Sequence, residues 1–152
     1  MNIPEFQYED VVSLDETLAP IILAGLKKFK EELVESDVRG YPHRMFSLVG
    51  IDEGSDVTDE QDQASFEMWL DVLDRMIYAF DPGNEPNMDD YNFEFEWIEY
   101  PKEGCEDGLS RIDIDVTNQE EYDRFRQDER EWYDKCKEGR MLLAEYFTDL
   151  WL

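Results

Sequence analysis

The chain has 152 residues and a formal charge of −26, from 40 Asp and Glu against 14 Lys and Arg, and 14% of it is aromatic. That length suits one domain, 1–152, and the aromatic content separates it from a disordered acidic tail. Binding to phosphates and to anionic lipid runs on Lys and Arg, so the charge excludes nucleic acid as a direct partner and disfavours a membrane surface; it favours a basic protein, reached through long-range steering.

Helical periodicity opens the chain. Leu18, Ile22, Leu26, Phe29 and Leu33 recur at three- and four-residue spacing and predict a first helix over about 15–36. Pro20 is read as part of its first turn, where a missing N–H costs little. Gly40, Tyr41 and Pro42 follow as a breaker. A second helix is predicted over about 58–80, from Phe66, Trp69, Leu70, Leu73, Met76, Ile77 and Phe80, with Asp81-Pro82-Gly83 as its stop.

The period then changes to two. Phe93, Phe95 and Trp97 alternate with Glu94 and Glu96, and Ile112, Ile114 and Val116 alternate with Asp113 and Asp115. The alternation predicts strands over about 92–100 and 110–117, joined as a hairpin with one apolar face laid on the helices and one acidic face outward.

A third helix is predicted over about 118–151, capped by Asn118 with Glu121 as its capping-box partner. Tyr122, Phe125, Trp132, Cys136, Leu143, Phe147 and Leu150 form its seam. Gly139 on that seam costs about 1 kcal/mol in a helix interior, so a close helix crossing, or a kink, is expected there. The fold class is therefore α+β and α-rich: a three-helix core with a β-hairpin inserted between helices 2 and 3.

Charge is unevenly spread. Residues 17–51 carry a net +1, residues 52–81 a net −9, residues 89–131 a net −11 and residues 132–152 a net −1. Solubility needs a magnitude of only about 2 to 8, and a halophilic proteome would acidify the surface more evenly. An acidic face is the better description. Its expected contacts are Glu94, Glu96, Asp113 and Asp115 on the hairpin, Glu103, Glu106 and Asp107 in its loop, and Glu120 and Glu121 at the start of the third helix. At one charge per about 1.7 Å of duplex axis, 26 charges match about 44 Å of DNA, similar to the diameter of a domain this size. Mimicry of DNA is compatible with that magnitude.

Catalytic chemistry has few candidates. The single histidine, His43, sits in a turn, and Cys105 and Cys136 read as reduced thiols of a cytosolic protein. Calcium loops fail at their glycine position, with Val57 in one stretch and Pro86 in another. No cofactor, no dedicated metal site and no catalytic residue are expected. The rival is a Mg²⁺-dependent, all-α nucleotide pyrophosphatase-like hydrolase using Glu67, Asp71, Asp74, Glu120 and Asp123. Met1 to Asp10 carry no apolar leader pattern and no segment is apolar over a bilayer's thickness, so a cytoplasmic location is expected.

LAPIILAGLKKFK near the N-terminus, the turn Gly40–Pro42, the central WLDVLDRMIYAF and the C-terminal KEGRMLLAEYFTDLW together resemble a group of small, functionally unassigned proteins of tailed bacteriophages. The likeness covers the three helices and skips residues 82–117. It implies a phage origin and an accessory role in a host cytoplasm. In that setting the expected function is an acidic interaction module, an inhibitor or modulator occupying a basic surface of a host or defence protein. A virion or assembly component, with self-association, is the third reading.

Overall fold

The computed structural model describes residues 7–36, 40–51, 56–99 and 112–150, with only the backbone for Glu99 and Ile112. Its elements are helices α1 (Tyr8–Val12), α2 (Leu14–Glu35), α3 (Met45–Leu48), α4 (Asp59–Phe80) and α5 (Gln119–Tyr146), and strands β1 (Phe95–Glu99) and β2 (Ile112–Val116). The strands pair antiparallel, Phe95 opposite Val116 and Trp97 opposite Ile114. The fold is α-rich α+β, and α5 runs without a break through Gly139. The chain divides into two compact units, Met1–Asn84 with Asp134–Leu152, and Glu85–Tyr133.

In the first unit the core is Leu26 and Leu33 of α2, Met45 of α3, Trp69, Val72, Leu73 and Met76 of α4, and Tyr146 of α5. The local signals that place these helices are legible. Thr58 accepts from the Gln61 amide at 3.3 Å while Gln61 Oε1 accepts from the Thr58 amide at 3.0 Å, closing a capping box at the start of α4. At its other end Asp81 accepts from the Gly83 amide at 3.1 Å, and the Tyr78 carbonyl accepts from both the Asp81 amide at 3.4 Å and the Asn84 side-chain amide at 3.1 Å. After α3 the chain turns at Gly50, whose φ of +78° is open to glycine at little cost. The Gly50 and Ile51 amides return to the carbonyls of Ser47 and Phe46, a Schellman closure.

Gly139 is where α5 crosses α4. A Cβ there would overlap the Arg75 carbonyl oxygen and lie 2.6 Å from the Ala79 Cβ. Only glycine permits that approach, and the expectation of a close crossing, rather than a kink, is met.

Three sequence expectations are corrected. Pro20 lies inside α2, well beyond its first turn, because α2 already begins at Leu14; its ring leaves the Glu16 carbonyl without an intrahelical donor. Phe147 is exposed, at 69%, and Tyr146 is buried in its place at 4%. Cys136, Gly139, Leu143 and Tyr146 follow one another at three- and four-residue spacing on the buried stripe of α5, and Phe147 stands one step off it; a 3₁₀ turn over Phe147–Asp149 then ends the helix before 151. Asn118 does cap α5, its Oδ1 accepting from the Glu121 amide at 3.3 Å, but the Glu121 carboxylate accepts from the Asn92 amide instead of closing a capping box.

The second unit is built on aromatic rings. Phe93 meets Phe95, Tyr122 and Phe125 at centroid distances of 5.6, 5.3 and 5.6 Å, and Tyr91 stands edge-on to Phe125 at 5.2 Å. Such geometry contributes about 0.5–1.5 kcal/mol per pair beyond area burial. This cluster fixes the base of the hairpin to the first half of α5. The hairpin's apolar face is covered only there: Phe95 is 42% exposed, Trp97 69% and Ile114 55%. The expectation that the whole apolar face lies on helices fails beyond Phe95, because the aromatic cluster reaches no further along the ribbon.

Candidate interaction surface

Antiparallel pairing sorts the hairpin's side chains by alternation. Glu96 stands opposite Asp115 and Ile98 opposite Asp113, on the ribbon face opposite Trp97 and Ile114. Glu94 extends the acidic face by one row, its carbonyl accepting from the Thr117 amide at 3.1 Å and its amide donating to Thr117 Oγ1 at 2.9 Å. The structure thus brings Glu94, Glu96, Asp113 and Asp115 onto one face. Glu94, Glu96 and Asp115 are exposed and Asp113 is half-buried. Neither Glu94 nor Glu96 meets a cation among the described residues. A like-charged pair directly opposite, as Glu96 and Asp115 are, opposes strand pairing, so folding alone does not account for it.

At the start of α5, Glu120 is exposed. Glu121 is half-buried, pairs with Arg124 at 3.0 Å and accepts from the Asn92 amide, which makes it a clamp between the hairpin's approach and α5. Glu103, Glu106 and Asp107 lie outside the described residues, as does Cys105. Two participants were not expected from the sequence. Tyr91 donates to Asp128 at 2.6 Å, and that bond, more than burial, raises the Tyr91 pKa. Arg124 stacks over the Tyr91 ring at 5.0 Å. The neighbouring aromatic run was a signal for a ring cluster, though not for its polar edge.

The carboxylates of α4 belong to the first unit, and several are engaged. Asp71 pairs with Arg75 at 2.7 Å, Asp74 with Lys30 at 2.5 Å, and Glu67 accepts from Gln63 at 2.7 Å. Arg75 also reaches Glu138 at 2.9 Å, and Asp71 first, then Glu138, raise its pKa. Among the described residues no three His, Cys, Asp or Glu side chains converge as metal ligands. Two grooves of about 310 and 400 Å³ border the second half of α5; the larger is lined by Asp74, Arg75, Tyr78, Lys135 and Glu138. Its Asp74, Arg75 and Glu138 are the groups just paired, and Lys135 leans over the Tyr78 ring at 5.8 Å.

Elsewhere in this unit Arg44 lies 3.8 Å over the Tyr146 ring, donates to the Glu145 carbonyl at 2.8 Å and bonds Asp149. Burial, ahead of the Glu145 charge, raises the Tyr146 pKa. His43 is exposed in its turn, its ring edge-on to Phe46 at 5.0 Å. Cys136 is buried.

No described helix is long and apolar enough to cross a membrane. No protein-family model, curated protein or solved structure matches the chain. What fold and surface define is an α-rich α+β protein with an acidic hairpin that exposes Trp97.

Proposed function

We propose that the chain is an acidic protein-interaction module that occupies a basic, nucleic-acid-binding surface of another protein. The contacts are Glu94, Glu96, Asp113 and Asp115 of the hairpin, Glu103, Glu106 and Asp107 of its loop, and Glu120. The observation that carries this reading is the uncompensated Glu94–Glu96 row beside Asp115, in a unit holding seventeen acids against five bases. Acids that serve stability are paired, as Asp71, Asp74 and Asp81 are; acids held against one another without cations store repulsion that a basic partner relieves. The sequence resemblance supplies the setting: a phage-encoded inhibitor or modulator of a host or defence protein in the host cytoplasm, acting by mimicry of nucleic acid.

The test is capture from host lysate on the immobilised chain, followed by salt and nucleic-acid elution. The recovered partner should be a basic nucleic-acid-binding protein, released steeply as salt shortens the screening length from about 10 Å at 0.1 M to about 3 Å at 1 M, and displaced by competing nucleic acid. Retention unchanged at 1 M salt refutes the electrostatic mode. No observation favours the hydrolase over this reading, since Asp71 and Asp74 are held by cations.

A further inference from the structure

Among the described residues, the apolar face of the hairpin is exposed beyond Phe95. Trp97 and Ile114 face each other across the ribbon, 69% and 55% exposed. The Glu94–Thr117 row is hydrogen-bonded on one side by backbone and on the other through Thr117 Oγ1. Alternation therefore makes Trp97–Ile114 a non-hydrogen-bonded pair, the kind whose side chains stand closest. The result is a firm aromatic and aliphatic knob with only two side-chain torsions in the Trp, the residue type most enriched at binding hot spots.

Charge decides what covers it. A second copy would bring its own −26 to the contact, and the acids on the reverse of the same ribbon would oppose it. A basic partner matches. The spacing narrows this further. Acids fill four of six positions over three successive rows, Glu94–Thr117, Glu96–Asp115 and Ile98–Asp113, a length of about 14 Å at about 3.4 Å per residue. That is one charge per about 3.4 Å, the density of one nucleic-acid strand and half that of a duplex. Single-strand-binding clefts pair a cationic wall for phosphates with aromatic platforms for bases. The ribbon pairs an acidic face with an aromatic one.

We propose that the Trp97–Ile114 face docks on the base-stacking wall of a protein that binds single-stranded nucleic acid, with Glu94, Glu96 and Asp115 toward its cationic wall. This rests on the acidic-module reading and names the class of partner. The probes are two twelve-residue peptides, Arg alternating with Tyr and Arg alternating with Gly, titrated against the full chain at low salt. The Arg-Tyr peptide should bind at least ten-fold more tightly, and Trp97→Ala should abolish that preference while leaving Arg-Gly binding unchanged. Ile114→Thr, which keeps a β-branched residue in the strand, should reduce the preference and guards against a folding defect. Equal binding of the two peptides, or a preference that survives Trp97→Ala, overturns the docking face and leaves the acidic module standing. Absence of binding by either peptide overturns both. Concentration-dependent dimerisation removed by Trp97→Ala would assign the face to a second copy and also overturn the proposal.

Discussion

The two units use acidity in opposite ways. In the first, the carboxylates of α4 and its C-cap meet cations from α2 and α4, as in Lys27–Asp81 at 2.9 Å and Arg75–Asp71 at 2.7 Å, and Arg75 also reaches Glu138 of α5 at 2.9 Å. In the second, the ion pairs of the described residues are local, Arg124–Glu121 and Arg126–Glu129, each three residues apart on α5, and the hairpin's Glu94 and Glu96 are left over. The cores differ in the same sense. One is an assembly of Leu, Met and Trp drawn from four helices; the other is a few rings at the base of a ribbon. Acidity is thus answered by cations in one unit and left unanswered on the hairpin of the other, among the described residues. Uniform acidity would have predicted neither.

Core substitutions probe that difference most strongly. Trp69 is fully buried, and Trp69→Ala should cost about 3–5 kcal/mol, read as lost stability in urea unfolding. Phe93, smaller and at the margin of burial at 9%, should cost about 3 kcal/mol or less on truncation to Ala. Hydrogen exchange should place that loss in Glu85–Tyr133. An equal loss spread over both units would break the comparison.

Gly139→Ala comes next. Alanine gains about 1 kcal/mol of helix propensity, yet its methyl would meet the Arg75 backbone, and overpacking of that kind costs about 1–3 kcal/mol. Net destabilisation is expected; a raised melting temperature would show the crossing to be looser.

The pH dependence should follow Asp81. The Lys27 ammonium, then the Gly83 amide, hold its carboxyl below the usual range. Its contribution is therefore complete above the unfolded carboxyl value of about 3.9 and fades as pH falls through the lowered folded value. Lys27→Met should remove that part of the acid sensitivity, measured as the difference in unfolding free energy between pH 6 and pH 3. At the alkaline end Tyr91, raised by its bond to Asp128, contributes below about pH 10 and loses its contribution as pH rises through the folded value.

The smallest effect has the most diagnostic sign. Asp115→Asn, opposite Glu96, removes a like-charge contact and should stabilise the second unit by about 0.2–1 kcal/mol while weakening binding to a basic partner. The corresponding neutralisation in the first unit, Asp74→Asn, breaks the pair with Lys30 and should destabilise by up to about 1 kcal/mol. Matching signs at the two positions would erase the distinction between the units.

By itself the sequence determined the three long helices and the hairpin, though not the short α1 and α3, because those rest on local rules: three- and four-residue spacing in Leu26, Phe29 and Leu33, the Thr58 cap, the Asp81-Pro82-Gly83 stop, and alternation in Phe95 to Glu99. It also located the close crossing at Gly139, since a glycine on an apolar seam has few other uses. Tertiary structure decided what those rules do not reach. Tyr146 rather than Phe147 enters the core, on the stripe that runs through Cys136, Gly139 and Leu143. Glu121 is taken by the Asn92 amide, Asp71 and Asp74 by cations distant or near in sequence, and Trp97 is left bare because the aromatic cluster ends at Phe95. Periodicity assigns a side chain to a face of its own element; only the arrival of another element settles whether that face is covered or a charge is answered.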